Sequence, residues 1–128
     1  MSKLAHRQWI SVLGATGSIG GNTLDVIVRH PDRFGVFAIS AATQVDKMLA
    51  LCAQYAPRYA VMASEPHAQL LREQCQAHGL ATEVLAGSDG LVQIATDPQV
   101  DMVMAAIVGA AGLAPCLAAA HAGKRLLL

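Results

Sequence analysis

Residues 10–25 read ISVLGATGSIGGNTLD, and the way this stretch changes period decides the fold. Residues 9–13 form a short apolar run that suits a buried strand. From Ile19 to Val28 the apolar residues recur at helical spacing until His30 and Pro31 stop them. Between the two lie Gly14, Ala15, Thr16, Gly17, Ser18, Ile19 and Gly20. A strand, a glycine-rich turn and a helix in immediate succession make the first half of a βαβ unit. The helix start, with its unpaired N–H groups and positive dipole end, then lies at the carboxyl edge of a parallel sheet.

Glycine at 14 allows a tight turn, glycine at 17 lets backbone approach a diphosphate without a Cβ between, and Gly20 lets the helix pack close on the strand. Thr16 and Ser18 add hydroxyl donors. The spacing is GxxGxxG, a variant of the GxGxxG dinucleotide fingerprint, and its position between strand and helix gives it its meaning. No Gly-Lys-Ser/Thr follows, which disfavours a P-loop. The bland alternative, a tight βα turn with no ligand, stays open at this point.

The remaining chain repeats the same alternation. Residues 36–41 read as a second strand and 45–55 as a helix with Val45, Met48, Leu49 and Cys52 on one face. Residues 59–62 form a third strand, and Pro66 and Gly79 bracket the next helix. Residues 83–85 suggest a short strand; Gly87, Ser88 and Asp89 then lead to a small helix around residues 91–95. The continuous apolar run 102–107 suits a strand buried on both faces. Residues 115–122 form a helix closed by Gly123, and 125–128 begin a further strand. The expected fold is α/β: one Rossmann-like, doubly wound parallel sheet with right-handed crossovers, a single domain over residues 1–128.

The choice of dinucleotide is read at the end of the second strand, where a carboxylate would bind the ribose hydroxyls of NAD. Here the sequence is Ser40, Ala41, Ala42, Thr43, Gln44, with no acid before Asp46. Without that negative charge a 2′-phosphate is not repelled, so NADP is favoured over NAD. No arginine stands there to pair with the phosphate; Lys47 is the nearest cation, and Thr43 and Gln44 offer neutral donors.

Composition excludes several classes. With 128 residues, 54% of them hydrophobic, 14% charged and a net charge of zero, the chain has ample core and no basic face for nucleic acid. Residues 1–8 lack the apolar core of an export signal. Residues 102–123 are uncharged but broken by Gly109, Gly112 and Pro115, which argues for strand, turn and helix rather than a membrane span. Cys52, Cys75 and Cys116 are too scattered for a zinc site or a disulfide framework and read as apolar fillers in a reducing cytoplasm. His6, His30, His67, His78 and His121 share no helix face at metal-ligand spacing and read as surface or capping residues. Asp25 reads as a solvated helix residue. No catalytic residue and no metal ligand is assigned.

Three stretches carry a family resemblance: ISVLGATGSIGGNTLD (10–25), YAPRYAVM (55–62) and VMAAIVGAAGLAPCLAAAHAGKRLLL (103–128). Together they resemble the N-terminal, NADPH-binding domain of 1-deoxy-D-xylulose 5-phosphate reductoisomerases. The resemblance implies an oxidoreductase of non-mevalonate isoprenoid biosynthesis that rearranges and reduces 1-deoxy-D-xylulose 5-phosphate to 2-C-methyl-D-erythritol 4-phosphate. It implies NADPH and Mg²⁺ or Mn²⁺, a cytoplasmic homodimer, a sugar phosphate as substrate, and no nucleic-acid or membrane partner. Carried over by position, Thr16, Gly17, Ser18 and Ile19 would contact the cofactor phosphates, and Ala42, Thr43 and Gln44 the adenosine 2′-phosphate end. Ala105, Ala106 and Ile107 would lie near the cofactor. Many members have Gly, a basic or polar residue and Asn at 42–44, so the 2′-phosphate contact differs here.

The sequence stops before the family's Asn-Lys-Glu segment and its metal-binding carboxylates, so by resemblance this stretch is inactive alone. Other GATGxxG families, such as aspartate-semialdehyde dehydrogenase-like and atypical short-chain reductase domains, lack the VMAAIVGAAGL block. An isolated NADP-sensing module and a purely structural α/β domain are the remaining alternatives.

Overall fold

The computed structural model describes residues 7–107 and 109–128. His6, the rest of the segment read for an export signal up to residue 6, and Val108 within the VMAAIVGAAGL block lie outside the described residues. The elements are β1 (Gln8–Leu13), α1 (Ser18–Arg29), β2 (Phe34–Ala41), α2 (Val45–Tyr55), β3 (Tyr59–Met62), α3 (Glu65–Ala77), β4 (Glu83–Ala86), α4 (Gly87–Thr96), β5 (Met102–Ala105) and α5 (Leu113–His121), closing on β6 (Arg125–Leu127). A 3₁₀ turn, Ala110–Gly112, precedes α5. All strand pairs are parallel, in the order β4-β3-β2-β1-β5-β6. The chain winds outward from β1 to β4, crosses back beneath the sheet through α4, and continues on the other side of β1. The order therefore reverses between β1 and β5, the place where open α/β sheets bind ligands.

Two apolar clusters cover the two faces. On one, Leu24 and Ile27 of α1, Met48 and Cys52 of α2, and Leu71 and Cys75 of α3 meet Ile10, Val12, Ile39 and Met62. On the other, Ile94 and Ala95 of α4 and Ala119 of α5 meet Leu13, Phe37, Ala38, Val61 and Val103. The one buried hydroxyl of β1, Ser11, faces α4 and donates to the Ile94 carbonyl at 2.7 Å, so its burial costs little.

β2 does not alternate regularly. Its register against β1 shifts between Ile10 and Ser11, which pair with Val36 and Ala38 and leave Phe37 as an extra residue. Phe37 and Ala38 consequently pack on the same face, that of α4 and α5, while Ile39 and Ala41 pack on the other. A bulge inverts the facing of every residue beyond it.

Several boundaries differ from the sequence reading, most by one or two residues, as where β2 starts at Phe34 rather than at 36. Gly87, Ser88 and Asp89, expected as a lead-in, are the first turn of α4. Gly87 reverses the chain at φ +72°, and the Asp89 carboxylate suits the positive helix end. The strand expected over 102–107 ends at Ala105, because β1 ends at Leu13, its partner there; Ala106 and Ile107 leave the ladder. The last helix begins at Leu113 rather than 115, since Pro115 falls in the first turn, where it has no hydrogen bond to lose. Cys52 and Cys75 are buried and free, as expected of fillers, and Asp25 is exposed, paired with Arg29 at 2.8 Å.

Candidate functional site

The site is built on the turn after β1. Gly14 takes φ +84°, and a Cβ there would stand 2.9 Å from the Ala106 carbonyl oxygen, so the position is closed to other residues by conformation and by space. Gly20 faces back onto the turn: a Cβ would stand 2.7 Å from Ala15 Cα and press on the Gly14 carbonyl. The first turn of α1 thus rests directly on backbone. Gly17 is the N-cap of α1, with extended backbone and no steric barrier around it. No side chain caps this helix and no acid lies in its first turn, so the N–H groups of Ser18, Ile19 and Gly20 are open to an anion.

Two hydrogen bonds fasten the turn to β2. Ala15 N–H donates to the Ser40 carbonyl at 2.7 Å, and Gly14 N–H donates to Ser40 Oγ at 2.9 Å. On the other side Ala106 N–H donates to the Leu13 carbonyl at 2.9 Å, holding the end of β5 against the same turn.

Above these strand ends opens a cleft of about 350 Å³, lined by Gly14, Thr16 and Gly17 from the turn, Ser40 and Ala41 of β2 with Ala42 just after it, Met62 of β3 with Ala63 just after it, Leu91 from α4, and Ala106, Ile107 and Ala111. The volume is in the range of a small-molecule site, and the lining is apolar with a few backbone and hydroxyl groups. Among the described residues it carries no charged side chain.

Of the residues singled out from the sequence, Thr16, Gly17 and Ala42 line this cleft, and Ala106 and Ile107 form its opposite wall. Ser18 and Ile19 stand at its rim in the first turn of α1, with Ile19 60% exposed. Thr43 and Gln44 lie just outside, exposed, between β2 and α2. Their carbonyls accept from Val45 and Met48 and their side chains carry no hydrogen bond among the described residues. Sequence reasoning placed Ser40 and Ala41 at the end of the second strand without giving either a contact, and missed Met62, Ala63, Leu91 and Ala111, ordinary core-type residues with no motif.

A second cleft, of about 370 Å³, opens at the opposite, amino edge between Trp9, Phe37, Cys52, Arg58, Leu80 and Gln99. Two of its polar groups are already used: the Arg58 backbone N–H donates to Phe37 O, and Thr82 Oγ1 to Pro57 O. Among the described residues no helix start contributes to its lining, so the smaller cleft at the carboxyl edge is the better site. Cys52 is held as a thiol by burial beside Cys75, which pushes it up to about 12. Among the described residues no three His, Cys, Asp or Glu gather as a metal site.

Strand order, switch point and glycine turn define an α/β domain of the Rossmann type. Residues 10–128 match the family model of 1-deoxy-D-xylulose 5-phosphate reductoisomerase, and the chain belongs to that family. A reductoisomerase of Aromatoleum aromaticum is 59% identical over 121 residues, 94% of this chain and 30% of the relative. A solved DOX-P reductoisomerase with magnesium superposes with a TM-score of 0.93 at 46% identity, covering 96% of this chain and 30% of that one. Another, in complex with NADPH, fosmidomycin and magnesium, gives 0.90 at 47% identity, covering 94% and 29%. The chain spans about 30% of the length of the relatives it matches.

Proposed function

We propose that this chain is the NADPH-binding domain of an enzyme that isomerises and reduces 1-deoxy-D-xylulose 5-phosphate to 2-C-methyl-D-erythritol 4-phosphate. The observation that carries the reading is the uncapped start of α1, rigidly fastened beneath a cleft at the switch point of a sheet of this family. The N–H groups of Ser18, Ile19 and Gly20, with the Thr16 and Ser18 hydroxyls, would hold the diphosphate over Gly17. Ala42, Thr43 and Gln44 would take the adenosine 2′-phosphate. Ala106 and Ile107 would form the wall toward the nicotinamide, whose bound form supplies hydride. The neutral cleft fits this cofactor: its phosphates meet backbone dipoles, and no carboxylate opposes the 2′-phosphate.

Mg²⁺ or Mn²⁺ belongs to the proposed whole enzyme, with ligands outside the described residues. The same reading makes that enzyme a cytoplasmic homodimer acting on a sugar phosphate, without nucleic-acid or membrane partners. No helix among the described residues is long and apolar enough to cross a membrane.

Calorimetric titration with NADPH and with NADH tests the proposal. Saturable binding, tighter for NADPH, is expected. A folded chain that binds neither would refute the assignment of the turn to a cofactor phosphate.

A further inference from the structure

We propose that Ser40 both fixes the glycine turn and donates its hydroxyl proton to the adenosine half of the bound dinucleotide. The residue is 2% exposed, yet it lines the 350 Å³ cleft. A serine hydroxyl has one proton to give and two lone pairs to receive. Gly14 N–H occupies one lone pair at 2.9 Å. The proton has no acceptor among the described residues. The group therefore presents an unused donor on the wall of the cleft, held in place by the turn it supports.

The bulge at Phe37 creates this arrangement. Counted from Val36 in regular alternation, Ser40 would share the face of α1 and α2 and lie under the helices. The extra residue sends Ala38, and with it Ser40, toward the face of α4, where Leu91 and Ile107 border the cleft. Ser40 stands on β2, two residues before Ala42. The second strand of such a sheet meets the adenosine side of a dinucleotide, and β5 the nicotinamide side. An oxygen of the adenosine ribose or of the adjoining phosphate is the acceptor this donor serves.

This inference rests on the dinucleotide reading, and its test separates the two. Ser40→Ala, Ser40→Thr and Ser40→Val are titrated with NADPH and with 2′,5′-adenosine diphosphate, which carries only the adenosine half; thermal midpoints are recorded in parallel. Loss of one neutral hydrogen bond predicts about three- to tenfold weaker binding of both ligands to Ser40→Ala. Ser40→Thr should bind within about twofold of the native chain while the equally shaped Ser40→Val repeats the loss. The Thr and Val pair keeps the test decisive if Ser40→Ala does not fold. Equal affinities for Thr and Val, whatever their midpoints, overturn the donor role. A loss seen with NADPH but not with 2′,5′-adenosine diphosphate overturns its assignment to the adenosine half. A native chain that binds neither ligand overturns the dinucleotide reading and this inference with it.

Discussion

Gly20 and Gly21 are adjacent on α1, yet adding one methyl group to each should have opposite effects. Glycine in a helix costs about 1 kcal/mol relative to alanine. At Gly21 nothing lies within 4 Å of an added Cβ and the residue is exposed, so Gly21→Ala should recover most of that. At Gly20 the same Cβ stands 2.7 Å from Ala15 Cα, where ordinary contact begins at 3.4 Å, and also presses on the Gly14 carbonyl. Both obstacles are backbone, fixed by the bonds from Gly14 and Ala15 to Ser40, so no side chain can rotate away.

The helix must lift, loosening Leu24 and Ile27 from the sheet. Overpacking of this kind costs about 3 kcal/mol at the upper end of its range. Net of the helix gain, Gly20→Ala should lose about 2 kcal/mol. For a domain of this length 1 kcal/mol moves the thermal midpoint by about 4 °C. Calorimetry or circular dichroism should therefore find Gly20→Ala lower by about 8 °C and Gly21→Ala higher by about 2–4 °C. NADPH affinity should drop about tenfold or more for the first, because the amides of the α1 start move off the cleft, and stay unchanged for the second. A Gly20→Ala protein as stable as Gly21→Ala would refute the claim that helix and turn are in backbone contact.

Gln44→Arg places a guanidinium where only neutral donors stand. It should tighten NADPH by about tenfold and leave NADH unaffected; equal gains for both would show that residue 44 does not face the 2′-phosphate. Cys52 gives a pH dependence of stability. Its folded value of about 12 lies above the ordinary 9.0, so the unfolded chain loses this proton first as pH rises. The contribution is intact below pH 9 and is lost between 9 and 12, at no more than about 1.4 kcal/mol per pH unit. Denaturant titrations at pH 8 and 10.5 on the native chain and on Cys52→Ala should show a steeper alkaline fall in the native protein. Parallel curves would refute it.

The sequence by itself determined the alternation of strands and helices, the glycine turn and the absence of an acid at the end of β2, because each rests on local properties. Period separates strand from helix, and glycine marks where a Cβ has no room. Residues 45–55 and 59–62 were legible to the residue for that reason. The same local reading placed Thr16, Gly17 and Ala42 at what proved to be one cleft. Boundaries set by a partner were not legible: β5 ends at Ala105 because β1 ends at Leu13, and Gly87 to Asp89 looked like a turn until α4 used them as its first turn.

Only the tertiary structure decided which face Ser40 takes. A single bulged residue, Phe37, inverts the alternation of β2 beyond it, and no feature of the sequence FGVFAISA announces where that slip falls. Register is a property of two strands together. Met62, Ala63, Leu91 and Ala111 joined the site for the same reason, each brought to the cleft by pairing and crossover rather than by its own chemistry.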